Sequence, residues 1–281
     1  MNLKLGQKLP YHFWDKKRKI TLILGVIYLL LMFAATLMVW IVDKINYVKV
    51  LEGLEPDKIK FLYENNLLQK PLNTFWGTTF TFTWISNIAM GIVIILFAIY
   101  PTKWQMQRAM FLVTVYISIT FLVFWALIFV PALINRTIDP LRFIPSVMVH
   151  FVTPVLGIAT FIYNRKAVSI SKWAMFLSFI PLLAYYFFAM IVYFISDDYV
   201  NLFSQFASEK SAFYRKLGVV IYPFLNFRQP FFYTGGNIFA VITLNLVLFV
   251  AFILLTIGIS FFWYKVCKVQ LDRQNKAWDV R

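Results

Sequence analysis

The sequence predicts an all-α integral membrane protein, a bundle of six transmembrane helices with both termini cytoplasmic. Three observations carry that expectation. The 281 residues are 61% hydrophobic and 20% aromatic with only 14% charged, a balance that soluble domains do not show, and the mean hydropathy is +0.73. Six runs reach the roughly 20 apolar residues needed to cross about 30 Å of hydrocarbon. The connections between them alternate between crowded and sparse in lysine and arginine.

The runs are residues 20–42, 74–100, 109–134, 143–163, 173–195 and 236–264, so the chain from 1 to 281 reads as one six-span membrane domain. The second and sixth are long enough to imply tilt or passage beyond the interface. The N-terminus, the loops after the second and fourth spans and the tail hold 16 of the 27 basic residues and three of the 12 acids, which is +13 of the net +15. That face is assigned to the cytoplasm. The expected location is the plasma membrane if the source is bacterial and an internal membrane if it is eukaryotic.

The same skew explains the isoelectric point of 9.8 without nucleic acid as a partner, because positive charge gathers where anionic lipid attracts it. No nucleic-acid motif is present. The single cysteine, Cys267, has no internal disulfide partner. Only His12 and His150 are available as imidazole ligands, and no acidic pair lies at depth, so neither a metal nor a cofactor is expected. No phosphate loop, nucleophile elbow or nucleotide fingerprint occurs, and no internal repeat supports an inverted-repeat transporter. The sequence leaves the oligomeric state open.

Taken in order, residues 1–19 set Tyr11, Phe13 and Trp14 among lysines, a composition suited to the headgroup region. The first span follows a Lys-Lys-Arg-Lys cluster but is too long for a signal-peptide core, so it stays as an anchor. In the connection 43–73, Ile59, Leu62, Tyr63 and Leu67 recur at helical spacing and predict a short amphipathic surface helix. The second span crowds Thr74, Thr78, Thr79, Thr81, Thr83, Ser86 and Asn87 into its first half. Thr79, Thr83, Ser86 and Asn87 share one helix face, which must meet protein or water, not lipid. Interhelical hydrogen bonding explains such a stripe as well as a site does.

The third span is aromatic, with Pro131 near its end. The fourth carries His150 and, four residues on, Pro154, which lacks an N–H and should bend the helix there. Ionisable groups at membrane depth are costly and mark function by default. Thr83 stands nine residues past Thr74 and His150 seven past Phe143. At helical rise that is roughly 14 Å and 11 Å below the outer ends of their spans, so the two side chains can meet. The fifth span contains Pro181 and the cluster from Tyr185 to Phe188. The outside segment 197–235 ends in an apolar stretch through Tyr222, Pro223, Phe224 and Asn226. It is expected to be re-entrant or interfacial, since irregular backbone at depth survives only against protein or a cavity. Asn237 and Asn245 are the polar positions of the sixth span.

A threonine hydroxyl becomes a nucleophile when a base takes its proton, and histidine is the usual base. Thr83 and His150 on two helices make a minimal pair of that kind, with Ser86 and Asn87 as candidate oxyanion donors. Thr153, or backbone near Pro154, would orient the imidazole. A structural histidine stands equally open on these residues alone.

Three pieces, Phe82-Thr83-Trp84-Ile85-Ser86-Asn87, His150-Phe-Val-Thr-Pro154 and Tyr222-Pro223-Phe224-Leu225-Asn226, together resemble the signatures of the androgen-induced, FAR-17a-like six-span membrane hydrolases and their microbial six-transmembrane relatives. The resemblance implies cleavage of fatty acid esters of hydroxy fatty acids, with Thr83 and His150 in the catalytic roles; Tyr222, Pro223, Phe224 and Asn237 are expected to line or cap the pocket. Ser86 stands where the animal proteins have an acid, and the interval from His150 to Pro154 is one shorter. The expected function is therefore an intramembrane lipid-ester hydrolase whose substrate is a lipid or fatty-acyl ester. The alternatives are a lipid-binding or transport protein using the same pocket and a structural membrane component.

Overall fold

The computed structural model describes residues 11–70, 73, 77, 79–134, 140–196, 198, 202 and 218–271. It is all-α, about 82% helical, and six helical segments are long and apolar enough to cross a membrane: Lys16–Glu52, Phe82–Ile99, Trp104–Leu127, Leu141–Ala167, Lys172–Ile195 and Ile238–Val266. Contacts divide the chain into two compact units, Met1–Ser171 with Tyr264–Arg281, and Lys172–Trp263.

In the first unit, helix α1 (Lys16–Glu52) begins at Asp15, whose carboxylate accepts from the Arg18 N–H at 2.7 Å. This satisfies one of the orphan donors of the first turn. The Arg18 guanidinium lies over the Trp14 ring at 3.8 Å and donates to the carbonyls of Ala98 and Ile99. Those carbonyls end α3 (Phe82–Ile99), so one arginine closes the next helix with a charge of the favoured sign. Helix α1 continues ten residues past Val42, where the sequence predicts a connection. Helix α2 (Pro56–Glu64) occupies the expected amphipathic stretch, with Ile59 and Leu62 half-buried and Tyr63 exposed.

Of the second span, expected from Thr74, the long described helix is α3; residues 73, 77 and 79 before it are also helical. Its N-cap is Thr81, in extended conformation at φ −73°, ψ 149°. Threonines lose rotamer freedom inside helices and favour such ends. Thr83 sits in the first turn of α3. Positions 74–76 and 78 lie outside the described residues.

The third long helix runs as α4 (Trp104–Val123), a π-helical stretch (Phe124–Phe129) and α5 (Val130–Ile134). The fourth repeats that design: α6 (Pro140–Val147), a π-helical turn (Met148–Val152) and α7 (Thr153–Asn164). Pro154 has no N–H to give, and the ladder slips by one residue just before it, the Thr153 N–H going to the Met148 carbonyl. The bend expected from Pro154 takes this π-helical form.

Close helix approach in this unit rests on small residues, as in membrane interiors generally. A Cβ on Gly91 of α3 would strike Leu29 and stand 3.1 Å from the Tyr28 ring; one on Gly157 of α7 would stand 2.9 Å from Met90 and 3.2 Å from Tyr28. Thr21 of α1 and Asn164 of α7 also hydrogen-bond at 3.0 Å while buried. After α7, strand β1 (Ser169–Ile170) pairs in parallel with β2 (Gln270–Leu271). Both of its hydrogen-bonding groups at Ser169 also meet the Gln107 amide oxygen, at 3.1 and 2.8 Å.

The second unit comprises α8 (Lys172–Phe176), α9 (Ile180–Ile195), the irregular segment 218–237 and α10 (Ile238–Val266) as far as Trp263. In the irregular segment Val219, Phe224, Leu225 and Phe227 are buried. Its backbone is tied by Asn226, whose amide oxygen accepts from the Tyr193 hydroxyl at 2.9 Å and from the N–H groups of Arg228 and Gln229 at 3.2 Å.

Candidate functional site

The polar face of α3 turns into the first unit. Thr83, Ser86 and Asn87 are 4%, 3% and 0% exposed, in keeping with a stripe that must meet protein or water and not lipid. Thr79, on the same expected face, precedes the helix and is half-buried.

Asn87 is the hub. Its Nδ2 donates to the carbonyls of Thr83 at 2.8 Å and Val149 at 3.0 Å. Its Oδ1 accepts from the Tyr28 hydroxyl at 2.7 Å and the Thr153 hydroxyl at 2.6 Å. An amide has two donors and two acceptor sites, and all four are used. One side chain therefore joins α1, α3 and the fourth long helix. It also sets the carbonyl of the residue before His150 within one amide group of Thr83.

Ser86 stands beside it. Its hydroxyl meets the Thr83 carbonyl at 3.1 Å and the Thr120 hydroxyl of α4 at 2.8 Å. The backbone of that same Thr120 stands beside the His150 ring. The imidazole stacks on Phe124, with centroids 4.0 Å apart and planes 6° from parallel. Phe124 and His150 belong to the two π-helical stretches, and such stretches recur at functional sites. A neutral imidazole that donates from one nitrogen keeps a lone pair on the other. Nδ1 of His150 is buried and has no partner among the described residues.

Two expected roles change in this geometry. Asn87 keeps no amide hydrogen for an oxyanion, because both are held by main-chain carbonyls. The Thr153 hydroxyl, expected to orient the imidazole, lies instead on Asn87 and on the Met148 carbonyl at 3.0 Å; the Thr120 backbone and the Phe124 face position the ring. Among the described residues no carboxylate takes part.

Residues that sequence reasoning missed complete the surroundings. Tyr28 is 0% exposed and reads in the sequence as one more apolar-span aromatic. Trp125, adjacent to Phe124 at a ring distance of 5.5 Å, has a buried indole Nε1 with no partner among the described residues. A donor and an acceptor thus stand unpaired on the two π-helical stretches of one unit, where buried polar atoms normally find partners.

The remaining expected residues lie in the second unit. Tyr222 stacks on Phe224, at 5.3 Å and 14°, and Phe224 is buried. Pro223 opens a short 3-10 turn, Pro223–Leu225. Asn237, expected to line a pocket, is exposed and caps α10, its Oδ1 accepting from the N–H groups of Phe239 at 2.9 Å and Ala240 at 3.3 Å. No family model matches this chain, and no curated protein or solved structure does either.

Proposed function

We propose that the first unit is an intramembrane lipid-ester hydrolase in which Thr83 is the nucleophile and His150 the base. The observation that carries this reading is the buried, unpartnered Nδ1 of His150, held on a π-helical turn that packs against the helix of Thr83. An uncompensated polar atom at that depth is costly, and a proton-accepting role gives it a use.

In this reading the Thr83 hydroxyl oxygen attacks the ester carbonyl carbon while its proton passes to His150. The tetrahedral intermediate collapses, the C–O bond to the alcohol breaks, and the imidazolium returns the proton to the leaving oxygen. A water, deprotonated by His150, then cleaves the acyl-Thr83 ester, releasing the fatty acid and restoring the hydroxyl. The Trp125 indole N–H is the donor suited to the developing oxyanion, because the single Ser86 hydroxyl proton is held by the Thr83 carbonyl or the Thr120 hydroxyl. The resemblance of the Thr83, His150 and Tyr222 segments to the androgen-induced six-span hydrolases points to fatty acid esters of hydroxy fatty acids as the first substrates to try.

Purified protein assayed against a panel of such esters should show turnover that falls at least about a hundredfold in Thr83→Ala and in His150→Ala, with the unfolding temperature kept. Turnover that survives in Thr83→Ala removes the nucleophile and with it this reading. A second reading, a lipid-binding or transport protein without chemistry, is favoured by the saturation of Asn87. It predicts bound lipid and no cleavage across the panel.

A further inference from the structure

The second unit holds a cavity of about 700 Å³, within the range of small-molecule sites. It lies between the second half of α9, the segment 227–236 and the first two turns of α10. Met190, Phe194 and Ile242 give it an apolar wall. Phe194 and Ile242 are also 49% and 59% exposed, on helices long and apolar enough to cross a membrane. The wall therefore continues onto surface suited to hydrocarbon, and an acyl chain can pass from one to the other.

Two polar groups on the same lining are unsatisfied. Tyr186 is 5% exposed. Its ring packs edge-on against Phe227, Phe249 and Phe252, at 5.3, 5.8 and 6.0 Å, but its hydroxyl has no hydrogen-bond partner among the described residues. Gln229, 9% exposed, is the second. The amide oxygen of Asn226 is identified by the backbone N–H groups of Arg228 and Gln229 that it accepts, so Asn226 Nδ2 is the atom that donates to Gln229 Oε1, at 3.2 Å. That fixes the Gln229 amide and leaves its Nε2 with no partner among the described residues. Among described residues that are not exposed, the unpaired side-chain atoms sealed from solvent are Trp125 Nε1, His150 Nδ1 and Asn245 Oδ1. The Tyr186 hydroxyl and Gln229 Nε2 are not of that kind. Both keep accessible surface, on residues that line the cavity.

Buried polar groups normally have partners, and what a hydroxyl and an amide N–H lack in common is an acceptor. An ester carbonyl supplies one, with no charge and no competing donor. A carboxylate fits less well. Arg228, the one cation on the described lining, is already engaged, and a buried charge without a free counter-ion is costly. We propose that this cavity binds an uncharged acyl lipid, its carbonyl oxygen accepting from Tyr186 and Gln229 and its chain lying over Met190 and Phe194. The site belongs to the second unit alone and stands whether or not the first unit hydrolyses esters.

The test uses the full chain in neutral detergent and a tritiated long-chain methyl ketone, which keeps the carbonyl and has no bond for a hydrolase to cleave. The ketone should bind saturably, and the methyl ester of the same chain length should displace it. The alkyl methyl ether, which lacks the carbonyl, and the fatty acid as its carboxylate should each compete about tenfold more weakly. Tyr186→Phe removes a hydroxyl with no described partner, so it should keep the unfolding temperature and weaken ketone binding about tenfold. Thr83→Ala should leave that binding unchanged. Absence of saturable binding, an ether that competes as well as the ester, or unchanged affinity in Tyr186→Phe overturns the proposal. Competition by the carboxylate equal to that of the ester also overturns it, since the ligand would then be an anion. So does binding lost in Thr83→Ala and kept in Tyr186→Phe, which would put the ketone in the first unit.

Discussion

Replacing Asn87 by leucine strands four polar groups at once: the hydroxyls of Tyr28 and Thr153 and the carbonyls of Thr83 and Val149. Side-chain hydrogen bonds between membrane helices average about 0.6 kcal/mol each, so Asn87→Leu should cost roughly 2 kcal/mol and lower the unfolding temperature. Tyr28→Phe removes one bond and should cost about a quarter of that, roughly 0.6 kcal/mol. Trp125 is the opposite case. Its indole N–H is already unpaired, so Trp125→Phe gives up no hydrogen bond and should leave stability nearly unchanged. If that N–H serves the oxyanion, turnover should nevertheless fall roughly a hundredfold. Stability and activity measured together on these three variants separate the residues that hold the site from those that use it.

At the scale of the helix, packing is decided where backbones come closest. A branched side chain at Gly91 must displace Leu29 or Tyr28, and Tyr28 is already held by Asn87. Overpacking of this kind costs about 1–3 kcal/mol, so Gly91→Val should unfold earlier than wild type by thermal melting. Gly258, which has nothing within 4 Å of an added Cβ, should accept Val with little change. The spans themselves were legible in the sequence because twenty apolar residues in a row have few other uses. Thr83, Ser86, Asn87 and His150 stood out because each is polar inside such a run. Less could be read of their connections. Helical spacing puts Thr83 and Asn87 on one face but does not say that Asn87 reaches Val149, and one more tyrosine or tryptophan among 15 and nine carries no mark. The break at Phe80 and Thr81 that opens α3 has no mark in the apolar run, beyond the preference of threonine for a cap over a helix interior. The π-helical stretches have no periodicity of their own to read; only Pro154 announced one of them.

Across the whole molecule, the lysine and arginine distribution predicts both termini on one face. Reporter fusions at residue 1 and residue 281 should therefore give the same accessibility. Cys267, beyond the last membrane-crossing helix and 5% exposed, offers a single-site probe. Burial pushes its thiol up from the ordinary cysteine range, and nearby Arg165 only partly opposes this. Less thiolate at neutral pH means slower reaction, so alkylation should be slow in the native protein, accelerate as pH rises, and become fast in denaturant. The hydrolase reading makes a sharper demand on the intact protein. A fluorophosphonate probe should add to the purified full-length chain, and peptide mass mapping of the adduct should find it on Thr83 in wild type and nowhere in His150→Ala. An adduct on another residue, or one that forms equally well without His150, contradicts the account.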